Sequence, residues 1–245
     1  MNESLTMLIG IPVLTAFFLF EAFYSEAFKA GLKGEIKYRN LAYAITSLLV
    51  LMVVNKIAGN VKSHISFSLD IKNYPLLDIV GCFLVAELLS WIFHYVKHQG
   101  YFWRFHYQHH LDEKYSVMLT AHTHGLEVII SGTIIGVIMH IIGFSLEAIN
   151  TYYLFYMILN TYQHSSFKIG LGPLDKLIVS PAYHRIHHSK SYRANYGSTL
   201  TIWDIVFGTA RWPKENEFVS DIGIQNKGEP IGFWKELIYC FSIKH

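Results

Sequence analysis

Residues 128–146 read VIISGTIIGVIMHIIGFSL, without one Asp, Glu, Lys or Arg. A helix of that length and polarity can cross the roughly 30 Å hydrocarbon layer of a bilayer while satisfying its own backbone hydrogen bonds. Three other runs repeat the pattern. Residues 5–23 (LTMLIGIPVLTAFFLFEAF) are nearly all apolar up to Glu21. They lack the basic start and small-residue cleavage site of a secretory signal, which predicts a retained membrane helix. Residues 41–59 (LAYAITSLLVLMVVNKIAG) give a second span and residues 76–98 (LLDIVGCFLVAELLSWIFHYVKH) a third, with Asp78 and Glu87 that would be costly against lipid. Composition agrees: 52% of residues are hydrophobic and 16% charged, where soluble domains carry about 25% charged. The expectation is an all-α integral membrane protein, a single domain over residues 1–245 with about four transmembrane helices. Residues 150–159 (NTYYLFYMIL) either complete a return crossing together with residues 147–149 or lie partly in the interface.

Lys and Arg set the orientation. The connection after the first span carries Lys29, Lys33, Lys37 and Arg39, and the C-terminal third carries Lys168, Lys176, Arg185, Lys190, Arg193, Arg211 and Lys214. The turn GFSLE has neither, so the first connection and the C-terminal region belong on the cytoplasmic side; Lys62 and Lys72 on the other face are a mild discord. The last segment, GFWKELIYCFSIKH, reads as a short amphipathic helix at the membrane surface. A net charge of +2 with no basic run argues against a nucleic-acid partner. Cys82 and Cys240 lie far apart and form no redox or disulfide motif.

Histidine is the outlier, at 14 of 245 residues. The pattern H-x-x-H-H occurs twice, as His106, His109, His110 and as His184, His187, His188; His94 and His98 form H-x-x-x-H, and His164 ends the last crossing. Residues three and four apart share a helix face, so each motif can aim its rings at one point. On the predicted topology all four groups fall on the cytoplasmic side. One zinc-type site needs three or four ligands; nine imidazoles suit two ions. Imidazole binds iron, zinc, copper and nickel alike, and the lipid setting with open metal positions favours oxygen activation by iron. His64, His140 and His245 are read as packing or interfacial residues.

The boxes HYVKH, HYQHH and HRIHH, with the phrases WRFHYQHH, GPLDKLIVSPAYHRIHHS and NYGSTLTIWDIVFGT, resemble the fatty acid hydroxylase/sterol desaturase superfamily over about residues 78–209. The resemblance implies membrane helices under a cytosolic helical cap that holds a dinuclear metal site. It implies two iron ions, for which zinc can substitute in a purified sample, and O2-dependent hydroxylation or desaturation of a lipid C–H bond. No H-P-G-G haem phrase occurs, so the electron donor is a separate protein of cytochrome b5 or ferredoxin type. The family phrase T-A-x-R-x-H-P-x-E becomes TAHTHGLE here, one residue shorter, with Gly125 where Pro is usual and no Arg. His124 and Glu127 keep the H-x-x-E spacing and are expected to support ligand rings; His122 has no assigned role. Asn160, four residues before His164, is a water-mediated ligand or a structural amide. Glu87, on the face of His94, is a candidate carboxylate partner for a ligand ring, as are Asp112 and Asp204. The rival classes are a His-rich metal transporter and a zinc membrane hydrolase; H-E-x-x-H is absent, which disfavours the second.

Overall fold

The computed structural model describes residues 3–62, 73–167, 171–214, 219–224 and 232–242. His64 and His245 lie outside them. The described residues are helical with no strand, only two isolated bridges, Ile178 with Leu200 and Ser189 with Ile222. Five long helices run in order: α1 (Glu3–Tyr24), then after the short α2 (Glu26–Gly31), α3 (Gly34–Lys62), α4 (Pro75–Lys97), and, beyond α5 (Trp103–Leu111), α6 (Gly125–Ile142) and α7 (Leu146–Gln163). The short α8 (Pro181–His187), α9 (Ile202–Val206) and α10 (Phe233–Tyr239) follow.

Local chemistry sets the ends of these helices. Pro75 occupies the first turn of α4, where its missing N–H costs nothing. Gly143 terminates α6 at φ 96°, a left-handed position that favours glycine. Two residues later the Ser145 hydroxyl accepts from the Ala148 N–H and starts α7. This tight turn reverses the chain, so that α6 and α7 both pack against α4. The fifth apolar segment, whose extent the sequence left open, is therefore a full helix of 18 residues. Asp78 accepts from the Ser145 N–H at 3.0 Å and pins the start of α4 to the same turn.

α4, α6 and α7 pack around Cys82, Ala86, Ile135, Met139, Phe144 and Tyr152. α1 lies on α7 and α3 on α6. α4 and α6 are long and apolar enough to cross a membrane, and only 28% and 22% of their most apolar windows are buried. A core helix of a soluble protein would hide that surface. The bundle therefore shows apolar side chains outward, among them Leu76, Leu77, Leu84, Ile130 and Ile134. The ends of α4 and α7, the starts of α3 and α6, and α5 all meet at the end of the bundle opposite the Gly143 turn.

Candidate metal centre

At that end the eight box histidines and His164 separate into two groups. His94, His98, His106, His110 and His187 form one; His109, His164, His184 and His188 form the other. Within each group the candidate ligand atoms all lie within 4.8 Å of one another. The groups abut: ring centroids of His110 and His188 are 4.3 Å apart, and those of His184 and His187 are 5.1 Å apart.

Neither H-x-x-H-H triplet serves a single point, contrary to the expectation from spacing. In α5 the i and i+4 rings, His106 and His110, join the five-histidine group while His109 joins the other. Around α8 the pattern is mirrored: His184 and His188 join the four-histidine group and His187 crosses to the first. The reason is helix geometry. At 3.6 residues per turn, positions i+3 and i+4 diverge by about 100° around the axis, so one triplet straddles two neighbouring centres.

Backbone and carboxylate partners fix several tautomers. Nδ1–H of His94 donates to the Tyr196 carbonyl at 2.8 Å, that of His187 to the Ala194 carbonyl at 2.9 Å, and that of His164 to the Asn160 carbonyl at 2.7 Å. His106 Nδ1–H donates to Glu127 Oε1 at 3.1 Å. A ring donating from Nδ1 turns an Nε2 lone pair inward. The Nε2 atoms of His94, His106 and His110 are buried with no hydrogen-bond partner. The Nε2 pairs His98–His187, His109–His164, His164–His184 and His184–His188 each stand 3.1 Å apart. When both nitrogens are unprotonated, as metal ligands must be, their lone pairs repel at that distance unless a cation lies between them. Two nitrogens bound at about 2.1 Å to one ion and about 95° apart are separated by about 3.1 Å. The donor set thus fits two imidazole-bound metal ions.

The rings are also in the protonation state a metal needs. Burial pulls His187 down to about 3 and His164 to about 4, in each case against the opposing pull of its carbonyl acceptor. Burial first, then the neighbouring imidazoles, holds His98, His109, His110, His184 and His188 well below the ordinary range.

Of the expected supporting residues, Glu127 touches a ligand ring, and Lys97 Nζ braces the same Oε1 at 2.9 Å. The side chains of the others do not meet the rings directly. Glu87 accepts from the Tyr152 hydroxyl at 3.1 Å and from the Thr199 and Leu200 N–H groups at 2.9 Å each. It shares His94's face but sits about 10 Å lower along α4, so it anchors a loop. Asp204 accepts from Trp91, Tyr183, Thr209 and the N–H groups of Tyr196 and Gly197. It reaches His94 only through Tyr196. Asp112 pairs with Arg39 and caps the Lys114 N–H. His124 caps α6 through Leu126. Asn160 serves by its backbone carbonyl, and its side chain accepts from Gln163. His122 contacts Glu236, and His140 bonds the Gly136 carbonyl within α6.

Sequence reasoning missed the Tyr196 and Ala194 carbonyls, which leave no side-chain signal, and Lys97, which stands inside the first box. It also missed Glu236. This carboxylate is fully buried, accepting from Tyr43 (2.8 Å), Gly232 N–H (3.1 Å), His122 (3.2 Å) and Arg39 (3.5 Å). Burial raises its pKa, but the His122 hydrogen bond and the surrounding donors outweigh that and hold it at about 2.

A family model described as fatty acid hydroxylase matches residues 79–209. The ornithine lipid hydroxylase OlsE of Rhizobium tropici is 27% identical over 229 residues, 91% of this chain and 67% of that protein. The alkylglycerol monooxygenase of Homo sapiens is 28% identical over 160 residues, 60% of this chain and 35% of that protein. Methylsterol monooxygenase 1 of Rattus norvegicus is 27% identical over 150 residues, 56% of this chain and 47% of that protein. The chain thus spans about two thirds of the first relative and less than half of the other two. No solved structure matches it.

Proposed function

Since the chain belongs to the fatty acid hydroxylase family, whose model covers more than half of it, we propose that it is an O2-dependent oxygenase acting on a C–H bond of a membrane lipid. The observation that carries this reading is the division of nine imidazoles, seven of them buried and His94 and His98 half-buried, into two abutting groups. The three relatives named above are hydroxylases and monooxygenases, which favours insertion of one oxygen atom over desaturation. His94, His98, His106, His110 and His187 would hold one iron ion and His109, His164, His184 and His188 the other. When bound, the iron pair supplies O2 activation.

The chain's own part is to hold, orient and shield. The carbonyls of Tyr196, Ala194 and Asn160 and the carboxylate of Glu127 hold four rings with Nε2 turned inward. Burial keeps bulk water from the centre. Apolar helices on the same end of the bundle offer a lipid chain a path from the bilayer to the rings. In this reading α1, α3, α4 and α6 cross the bilayer and α7 returns, with the histidines in a cytosolic cap formed by α5, α8 and their loops. The Lys and Arg bias supports that face as cytoplasmic. The donor is a separate cytochrome b5- or ferredoxin-type protein.

Transport sites tend to lie near the membrane midplane; these rings cluster at helix ends, and no observation favours transport or hydrolysis. The test compares lipids from membranes carrying the active protein with those carrying His187→Ala. A lipid one oxygen heavier, present only with the intact protein and only with O2, is expected. Identical lipid profiles, or purified protein that binds no transition metal, would sink the proposal.

A further inference from the structure

Helix α10 has the wrong polarity for a helix facing water. Its one acidic side chain, Glu236, points inward and is fully buried, while Trp234, Ile238 and Phe241 point outward with 70%, 63% and 62% of their surface exposed. Trp234 and Ile238 stand at i and i+4 on α10, and exposed Phe241 extends the apolar stripe in the turn that follows the helix. The inward carboxylate has its donors in Tyr43, His122, Arg39 and the Gly232 N–H. The outward apolar stripe is therefore not the by-product of a helix packed the wrong way round.

The surroundings extend the stripe. α10 rests on α3, whose Leu41 and Ile45 are exposed, and Cys240 and Phe241 contact His124 at the start of α6, whose Leu126 and Ile130 are exposed. Exposed apolar side chains of two long helices thus flank α10. Lys235 stands exposed beside Trp234 at its edge. A short helix with Trp and large aliphatic residues on one side, and a lysine flanking them, is suited to the boundary between headgroups and acyl chains.

We propose that α10 is an interfacial helix whose Trp234–Ile238–Phe241 stripe sits in the lipid of the same bilayer that the long helices cross. The proposal rests on the membrane reading above and is independent of the oxygen chemistry. Its consequence reaches the metal centre. The Tyr107 hydroxyl donates to the Glu236 carbonyl at 2.9 Å, and Tyr107 lies beside His106 in α5. Seating α10 on lipid therefore braces the helix that supplies three of the ligand rings.

The test places an environment-sensitive NBD label at Ile238→Cys in the full chain. The protein is reconstituted in phosphatidylcholine–phosphatidylglycerol vesicles with lipids brominated near the carbonyl end of their chains. Phe241→Cys gives a second position on the stripe, Lys114→Cys a water-exposed reference and Ile134→Cys a reference within α6. The stripe labels are expected to be blue-shifted from the Lys114 label, quenched about twofold or more by the bromolipid and shielded from aqueous iodide. Iodide quenching equal to that at Lys114 overturns the proposal. So does shielding that vanishes when the protein is diluted into about tenfold more lipid, because the cover is then a second copy of the chain. An Ile134 label as open to aqueous iodide as the Lys114 label overturns the membrane reading and this inference with it.

Discussion

The two histidine groups share a ceiling of buried side chains but are held differently. In the five-membered group three rings have Nδ1 committed to an outside acceptor: His94 to Tyr196, His187 to Ala194 and His106 to Glu127. In the four-membered group only His164 does, while Nδ1 of His109, His184 and His188 is buried without a hydrogen-bond partner. The larger group also has the one carboxylate, and a ring that hydrogen-bonds a carboxylate is a more basic ligand. The smaller group has no ligand to spare. Surplus donors and most of the fixed tautomers belong to one group; the other has a single anchored ring, His164, and depends on packing to aim the remaining three.

The largest effect expected from this contrast is on ligand removal. His188→Ala leaves three imidazoles in its group and should drop bound metal from two ions per chain to about one, with product formation below roughly a hundredth of the parent. His98→Ala leaves four and should keep close to two ions, with about a tenfold loss of activity. Elemental analysis of the two purified variants reads the difference; equal loss from both would erase the distinction between the groups. Next, Glu127→Gln should weaken metal binding in the five-membered group by about 10- to 100-fold, seen as a shift in competition against a chelator. An unshifted curve would mean that the carboxylate does not tune His106. A smaller effect is expected in the parent protein, where chelator should strip metal in two phases. The early phase should be missing in His188→Ala.

The boxes were readable because metal binding writes itself as spacing. His94 with His98, and each H-x-x-H-H, are neighbours on one turn of helix, so local sequence carries the signal. The split of each triplet between two centres follows from the same geometry, yet spacing alone could not say that both points would be used. Glu87 shows the limit. Helix period placed it under His94, but only the tertiary structure shows the Thr199–Leu200 loop reaching it first. Glu236 was beyond reach altogether, since its side-chain donors come from α3 and from His122, more than a hundred residues away. The extent of α7 depended on the Gly143 turn, and the aromatic run of residues 150–159 hid it.

The smallest predicted effect lies outside both groups and serves as a control on the comparison. Glu236 is held at about 2 in the folded chain against an ordinary 4.5. Its contribution is therefore complete above about pH 4.5 and lost as pH falls towards 2. Glu236→Gln should lower the melting temperature by a few degrees at pH 6, and the gap from the parent should narrow below pH 4.5 and close only near pH 2. Metal content at pH 7 should stay that of the parent. A variant that lost one ion selectively would show that the α10 latch supports one centre more than the other.

The divergence of about 100° between i+3 and i+4 also works as a ruler. Each of two short stretches of helix holds both positions, so the gap between the two sets of ring nitrogens is written in backbone pitch. One residue inserted between His106 and His109 would turn the first ring away from the third, and both positions would lose their register in a single step.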